Sequence, residues 1–434
     1  MNLNETHDPK RKSFVESANP AGADFPIQNL PFCVFSRAGE SLRGGVAIGD
    51  QLIDLTAALR AGLFSGAVEK AAQAASGPSL NALMALGNGA ASSLRACLSD
   101  LLRSDSTYRN RVQPLLVPQA QVKFAVPVSV GTFTDFLCSY DHTFRMSRTG
   151  DLPPAFKHLP IAYHSRASTV ICDEGFHRPN VQSRDKGGNV CFGPEQALDF
   201  ELEMGAYVGV GNKMGAPVSL AAAPDHIFGY CLLNDWSARS IQAWESTPLG
   251  PFLGKSFATS ISPFVVTSEA LLPFAIAGRE RAASDPQPLP YLSDKDNVAS
   301  GALDITLDAY MVTKRMRDAG APPARVTRTN FKHMYWNFAQ MLTHHASNGC
   351  SLQPGDILGS GTTSGPVDDS RACMAEISSR GSKPFNLPNG ETRTYLVDGD
   401  EVIFRGRAER DGAVGIGFGE CRGIVLPAVA WPSA

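Results

Sequence analysis

Leu198-Asp199-Phe200-Glu201-Leu202-Glu203-Met204 alternates apolar and acidic side chains without a break. On a strand, successive side chains face opposite ways, so Phe200, Leu202 and Met204 share one side and Asp199, Glu201 and Glu203 the other. The apolar side needs a core, which makes this a half-buried strand and the surrounding fold a β fold. From pattern alone, a solvated acidic face is the commoner arrangement. The alternative is that crowded carboxylates are relieved by a cation set between them. All-oxygen ligation suits a hard ion such as Ca²⁺ or Mg²⁺ rather than zinc.

Segments on either side of this run bear on that choice. In Leu232-Leu233-Asn234-Asp235-Trp236 an apolar strand ends on an acid, and the helix predicted after it carries Arg239 and Gln242 at i, i+3. A helix cap followed by surface polar residues is the plainer reading. In Pro248-Leu249-Gly250-Pro251-Phe252-Leu253-Gly254-Lys255-Ser256 a lone lysine sits in an apolar, glycine-rich stretch. Burial there demands an anionic partner, and a structural salt bridge would satisfy it. Thr134 to Arg145 reads as a helix capped by Thr134 or Asp135. That helix would put Asp135 and His142 two turns apart on one side.

The rest of the chain is ordinary for a soluble protein. Its 434 residues exceed one typical core and predict two domains. A net charge of -3 gives no reason to expect nucleic acid or an anionic membrane as partner. Nine scattered cysteines without a CxxC pair argue against a disulfide framework or zinc ribbon and fit a reducing cytoplasm. Residues 1–23 read as a flexible tail rather than a signal peptide, and no apolar run is long enough to span a membrane. Gly49-Asp50 marks a hairpin, and Ala67 to Leu102 is helical with breaks. Pro114, Pro118 and Pro127 mark a domain boundary between Val112 and Val130, dividing the folded chain into 24–125 and 126–434. Beyond it come short strands at Ser168 to Cys172, Phe228 to Leu233, Phe264 to Thr267 and Leu303 to Val312. An exposed excursion from Ala277 to Ser300 and a helix from Asn330 to Ser347 complete the reading. With no βαβ rhythm, the fold class is mainly β with α, antiparallel-rich.

Taken together, these segments resemble the fumarylacetoacetate hydrolase family. The likeness runs from Asp24-Phe25-Pro26-Ile27-Gln28-Asn29 to Gly415-Ile416-Gly417-Phe418-Gly419-Glu420-Cys421. It is strongest from His158 through Tyr163 to Ser168, at Leu198 to Met204, Asn234 to Gln242 and Pro248 to Phe257, and continues through Ser360-Gly361-Thr362-Thr363. The resemblance implies an SH3-like β-barrel domain followed by a larger β-roll catalytic domain that pairs into a cytoplasmic homodimer. It also implies metal-dependent hydrolysis of a carbon–carbon bond in a small β-diketo acid, 4-fumarylacetoacetate. The products would be fumarate and acetoacetate, the last step of tyrosine and phenylalanine catabolism.

By the same resemblance, Asp135, Glu201, Glu203 and Asp235 are expected to hold Ca²⁺, with Mg²⁺ near Asp235, Lys255 and Thr259. His142 matches the general base and Glu376 the acid that orients it. Arg239, Gln242 and Lys255 are candidates to stabilise an oxyanion. Substrate contacts fall on Gln242, Thr362, Arg148 and Tyr163. The family usually has tyrosine where this chain has Leu137 and Ser246, which bears on substrate grip more than on reaction class. Two rivals are a related acylpyruvate-type hydrolase and a non-catalytic homodimer that binds a structural cation.

Overall fold

The acidic run leads into the middle of the largest sheet of the computed structural model, which describes residues 2–147, 149–172, 175–185 and 187–432. Across that sheet the order is Ile161–Ser165, Phe133–Leu137, Ile357–Gly359, Leu202–Val208, Ile227–Asp235, Thr259–Ile261 and Val170–Cys172, and Val266–Thr267 also pairs with Ile227–Asp235. Most pairings are antiparallel, but Phe133–Leu137 with Ile357–Gly359 and Val170–Cys172 with Thr259–Ile261 are parallel. A second sheet runs Ala324–Asn330, Ile305–Val312, Glu401–Ala408, Ile416–Leu426 and Phe176–His177. The molecule is mainly β with helices.

Hydrophobic burial fixes both faces of the central sheet. Leu202, Met204 and Leu232 share a core with Leu307, Phe404 and Phe418 of the second sheet. On the other face, Phe228, Leu233, Ile261 and Ile357 join a core built by the N-terminal part of the chain. A strand covered on both faces reads as a continuous apolar run, which is why Ile227–Asp235 shows so little alternation. The N-terminal part has a five-stranded sheet in the order Leu116–Pro118, Gln51–Asp54, Arg43–Ile48, Phe32–Ser36 and Lys123–Ala125. Helices Gly66–Ala75 and Asn88–Leu102 pack beside it.

Four expectations change. The acidic run is not one continuous strand: Leu198–Asp199 pairs with Ser237–Ala238, the chain breaks at Phe200, and only Leu202–Val208 enters the sheet. The segment expected as a helix from Thr134 is the strand Phe133–Leu137 followed by the helix Tyr140–Arg145, capped by the Ser139 hydroxyl accepting from the His142 N–H at 3.1 Å. Pairing with two neighbouring strands outweighs local propensity there, and Ser139 is a good cap one turn later. Likewise Asn330 ends a strand, and the second helix starts at Phe338, where Asn337 and Gln340 form a capping box.

The N-terminal segment is not a loose tail, because Thr6, Val15 and Ala18 are buried and Ser13 bridges to Arg103. Similarly, the excursion Ala277 to Ser300 is largely exposed but anchored by buried Asp285 and Leu292. Among the described residues, no helix is long and apolar enough to cross a membrane.

One ion pair ties the N-terminal part to the rest. Arg95, fully buried, faces Glu269 at 3.1 Å and donates to the carbonyls of Asn29 and Gln28 and to Thr6. Asn4 and Ser92 donate to the same carboxylate at 2.7 and 2.6 Å. Removing one partner of a buried pair leaves the other charge uncompensated, at a cost of about 3–5 kcal/mol. Arg95→Ala is therefore expected to lower the unfolding free energy from guanidinium titration by an amount in that range; a loss under about 1 kcal/mol would show the latch to be dispensable.

Candidate active site

Sheet register assembles the acids. Asp135 lies opposite Tyr163 on one side and Gly359 on the other, while Asp235 lies opposite Thr259. Glu203 sits on the next strand over, opposite Leu233. A Cβ on Gly359 would come within 2.5 Å of the Asp135 carboxylate, so glycine there makes room for the acid. Gly361 has φ 74° and donates its N–H to Glu203 at 3.0 Å, while a Cβ at that position would meet the Phe136 carbonyl oxygen at 2.2 Å. This left-handed turn both supports Glu203 and carries the next residue, Thr362, into the cleft.

The cleft has a volume of about 1030 Å³, and its walls include Asp135, Glu201, Glu203, His142, Lys255 and Arg239. Tyr163, Gln242 and Thr362 also line it, as do Leu137 and Ser246, the two positions where tyrosine was expected. Asp235 and Thr259 lie behind the wall, joined by a hydrogen bond of 2.9 Å. Arg148 lies outside the described residues.

The acids are buried, not solvated. Glu201 and Glu203 are 4% and 0% exposed, and Asp135 and Asp235 2% and 0%. Each buried ion costs several kcal/mol unless it is paired. Lys255 pairs with Glu201 and, at 2.9 Å, with Asp235. Arg239 pairs at 2.8 Å with both Glu201 and Asp199. Five carboxylates thus face two cationic side chains, and acid is in excess.

The titration behaviour follows from this imbalance. Burial, then the charge on Asp235, pushes the Asp135 carboxyl up to about 7. Burial, then Asp135 and Glu201, pushes Glu203 well above the usual carboxylate range. Burial acts the same way on Glu201, but Lys255, Arg239 and His142 overcome it and hold that acid low. Burial disfavours the Lys255 ammonium, yet Asp235 and Glu201 hold it charged. The Tyr163 hydroxyl lies 2.7 Å from both Asp135 and Asp235, and its single proton can serve only one of them.

A cation fits this donor set. One oxygen from each of Asp135, Glu201 and Asp235 lies within 4.8 Å of the others. Asp135 Oδ1 and Glu203 Oε1 are buried without a hydrogen-bond partner among the described residues. Converging carboxylates with unsatisfied oxygens are what a hard divalent ion requires. Around Asp235 and Thr259 the Lys255 side chain cannot be a ligand, because an ammonium has no lone pair. A cation there would rest on the Asp235, Thr259 and backbone oxygens.

His142 Nδ1 lies 2.8 Å from Glu376, which leaves Nε2 without a protein partner among the described residues. Burial would raise the Glu376 carboxyl, but His142, Ser364 and Arg145 together hold it below its usual value. Arg145 lies 3.3 Å from Glu376, and the Ser364 and Cys373 side chains also point at it. The Asp135–His142 pairing expected from a shared helix face is replaced by a strand and a helix that both reach the cleft.

Sequence reasoning missed Arg145, Ser364 and Cys373 around Glu376, and also Arg380 and Tyr395 in the cleft wall. Only Arg145 carried a signal, its i, i+3 spacing from His142. It also left Asp199 unassigned, a residue that stands apart from the cleft lining.

A family model described as Fumarylacetoacetate (FAA) hydrolase C-terminal matches residues 131–425, and one described as Fumarylacetoacetase N-terminal matches residues 28–127. Fumarylacetoacetase from Bos taurus is 45% identical over 96% of this chain and 100% of its own length. The Homo sapiens protein of that name is 43% identical over 96% of this chain and 99% of its own, and the Oryza sativa one is 43% identical over 96% and 98%. A solved fumarylacetoacetate hydrolase from Exiguobacterium antarcticum covers 92% of this chain and 99% of its own at 16% identity, with a TM-score of 0.49. With both models matched in order and near-full-length relatives above 40% identity, the chain belongs to the fumarylacetoacetate hydrolase family.

Proposed function

We propose that this chain is a metal-dependent hydrolase that cleaves 4-fumarylacetoacetate to fumarate and acetoacetate, the closing step of tyrosine and phenylalanine catabolism. The observation that carries the reading is a buried carboxylate cluster with unsatisfied oxygens, facing the same cleft as the paired His142 and Glu376. Near-full-length relatives named fumarylacetoacetase support the substrate. We read Asp135, Glu201, Glu203 and Asp235 as the holders of Ca²⁺, and the Asp235, Lys255 and Thr259 region as the place for Mg²⁺. Residues 24–125 are read as an SH3-like unit, 126–434 as the catalytic unit, and the protein as a cytoplasmic homodimer. Exposed apolar side chains at Phe192, Leu249, Phe252 and Trp431 support pairing of copies.

In this reading His142 Nε2 takes a proton from water, while Glu376 holds the other ring nitrogen and stabilises the imidazolium. The hydroxide attacks the ketone carbon of the fumaroyl group, the carbon that becomes the new carboxylate of fumarate. Positive groups at Arg239 and Lys255, with the Gln242 amide, stabilise the oxyanion that forms. Collapse of that oxyanion expels the acetoacetate carbon with the bonding pair, and the carbon is then protonated. Asp135, Glu201, Glu203 and Asp235 would hold a divalent cation, which would supply Lewis acidity in the cleft. Thr362, Tyr163 and Arg148 are assigned to substrate binding. Leu137 and Ser246 place an apolar and a short side chain in the same cleft, and the Ser246 hydroxyl is spent on the Gln242 carbonyl. Substrate preference is therefore the property to compare directly, fumarylacetoacetate against acylpyruvates, with loss of diketone and release of fumarate as the readout.

Three outcomes follow from this mechanism. His142→Ala should lower kcat by about a hundredfold or more, and near-normal turnover would remove the imidazole from the reaction. Stripping metal with EDTA should abolish turnover and adding Ca²⁺ or Mg²⁺ should restore it; full activity in the stripped protein counts against the Lewis-acid role. Glu376→Gln should also reveal a pH-dependent stability term. Because the folded carboxyl is depressed below 4.5, its contribution is present above that pH and fades as pH falls through the lower folded value. Thermal melts should show the gap between wild type and variant closing in acid, and a gap that widens there would reverse the sign of the argument.

A further inference from the structure

Asp199 is the one acid of the alternating run that the proposed mechanism does not use, although it is fully buried. Its Oδ2 accepts from Arg239 Nε at 2.8 Å and from the Ala375 backbone N–H at 3.0 Å. Its Oδ1 accepts from the Met374 backbone N–H at 2.6 Å. These two ties lead to two groups of the candidate chemistry. Arg239 goes on to hold Glu201 at 2.8 Å and to donate to Gln242 at 3.1 Å, both in the cleft wall. Met374 and Ala375 open the short helical turn that carries Glu376, the partner of His142.

We propose that Asp199 is a positioning residue that holds Arg239 and the Glu376–His142 pair in one fixed relation. The proposal rests on the function assigned above and adds to it a coupling between the oxyanion side and the base side. The physical reason is directional. A guanidinium on a flexible side chain has several poses, and a buried carboxylate that accepts from Nε and lies 2.8 Å from Nη2 favours one of them. Without that grip Glu201 is the remaining acid that holds Arg239, and the guanidinium would turn toward it. The same carboxylate fixes two N–H groups beside Glu376, so a shift on one side is transmitted to the other. Sequence offers no sign of this, since neither Met374 nor Ala375 contributes its side chain.

The test is Asp199→Asn in the full chain, assayed with fumarylacetoacetate after circular dichroism has shown it folded. The substituted amide keeps the volume but presents N–H toward N–H donors. We expect kcat to fall about tenfold or more with KM within about threefold of wild type. In a double-mutant cycle, the losses from Asp199→Asn and Arg239→Gln should be clearly less than multiplicative, because part of the Asp199 effect is carried by Arg239. An unchanged kcat in the folded variant, or losses that simply multiply, would overturn the proposal in favour of a purely structural ion pair. Should Asp199→Asn fail to fold, Arg239→Lys keeps the charge but lacks the Nε–H that Asp199 accepts from. It should lose as much kcat as Arg239→Gln, and wild-type kcat in that variant would equally overturn the proposal. If wild-type protein does not cleave fumarylacetoacetate, the functional reading falls, and with it the positioning role.

Discussion

The pairing of Lys255 and Arg239 with a group of buried carboxylates is the constraint on which the rest depends. Burying these acids without partners would cost more than the net stability of an ordinary domain. Two side-chain cations do not balance five acids, and the surplus defines what the site can do. It suits the cleft to a hard cation, raises Asp135 and Glu203, and keeps Lys255 charged. Function here is an unresolved charge balance that the surrounding fold is rigid enough to tolerate.

That rigidity has an identifiable source. Three of the acids project from strands of a sheet packed on both faces, by the second sheet and by the N-terminal core. The strand neighbours fix where each carboxylate sits, and glycines at 359 and 361 remove the atoms that would block them. Ser364 and Arg145 hold Glu376, which pairs with His142. Each candidate group is therefore held in place by buried neighbours, the arrangement that preorganised catalysis requires.

Legibility in the sequence was uneven for physical reasons. The β character, the hairpin at Gly49-Asp50 and the acid-rich stretch were readable because they rest on period-two alternation and on turn chemistry. The segment from Phe133 to Arg145 was misread, since its strand forms by pairing with Ile161–Ser165 and Ile357–Gly359, which local sequence does not announce. Asn330 to Ser347 failed for a similar reason: a good cap at Asn337 starts the helix late, after a strand has claimed Asn330. The candidate site residues came from motif resemblance; composition and spacing alone favoured a solvated acidic face.

By itself, then, the sequence determined which chemical groups were available and the local preferences of the strand-forming runs. It also determined the family, through ordered motifs spread over the whole chain. Tertiary structure decided which acids meet, that they are buried, and that Asp199 serves Arg239 and the Glu376 turn instead of the cleft. The reason is that burial and distance are properties of contacts between remote segments. An Asp on an alternating strand has the same local signature whether it faces water, a cation or an arginine forty residues away.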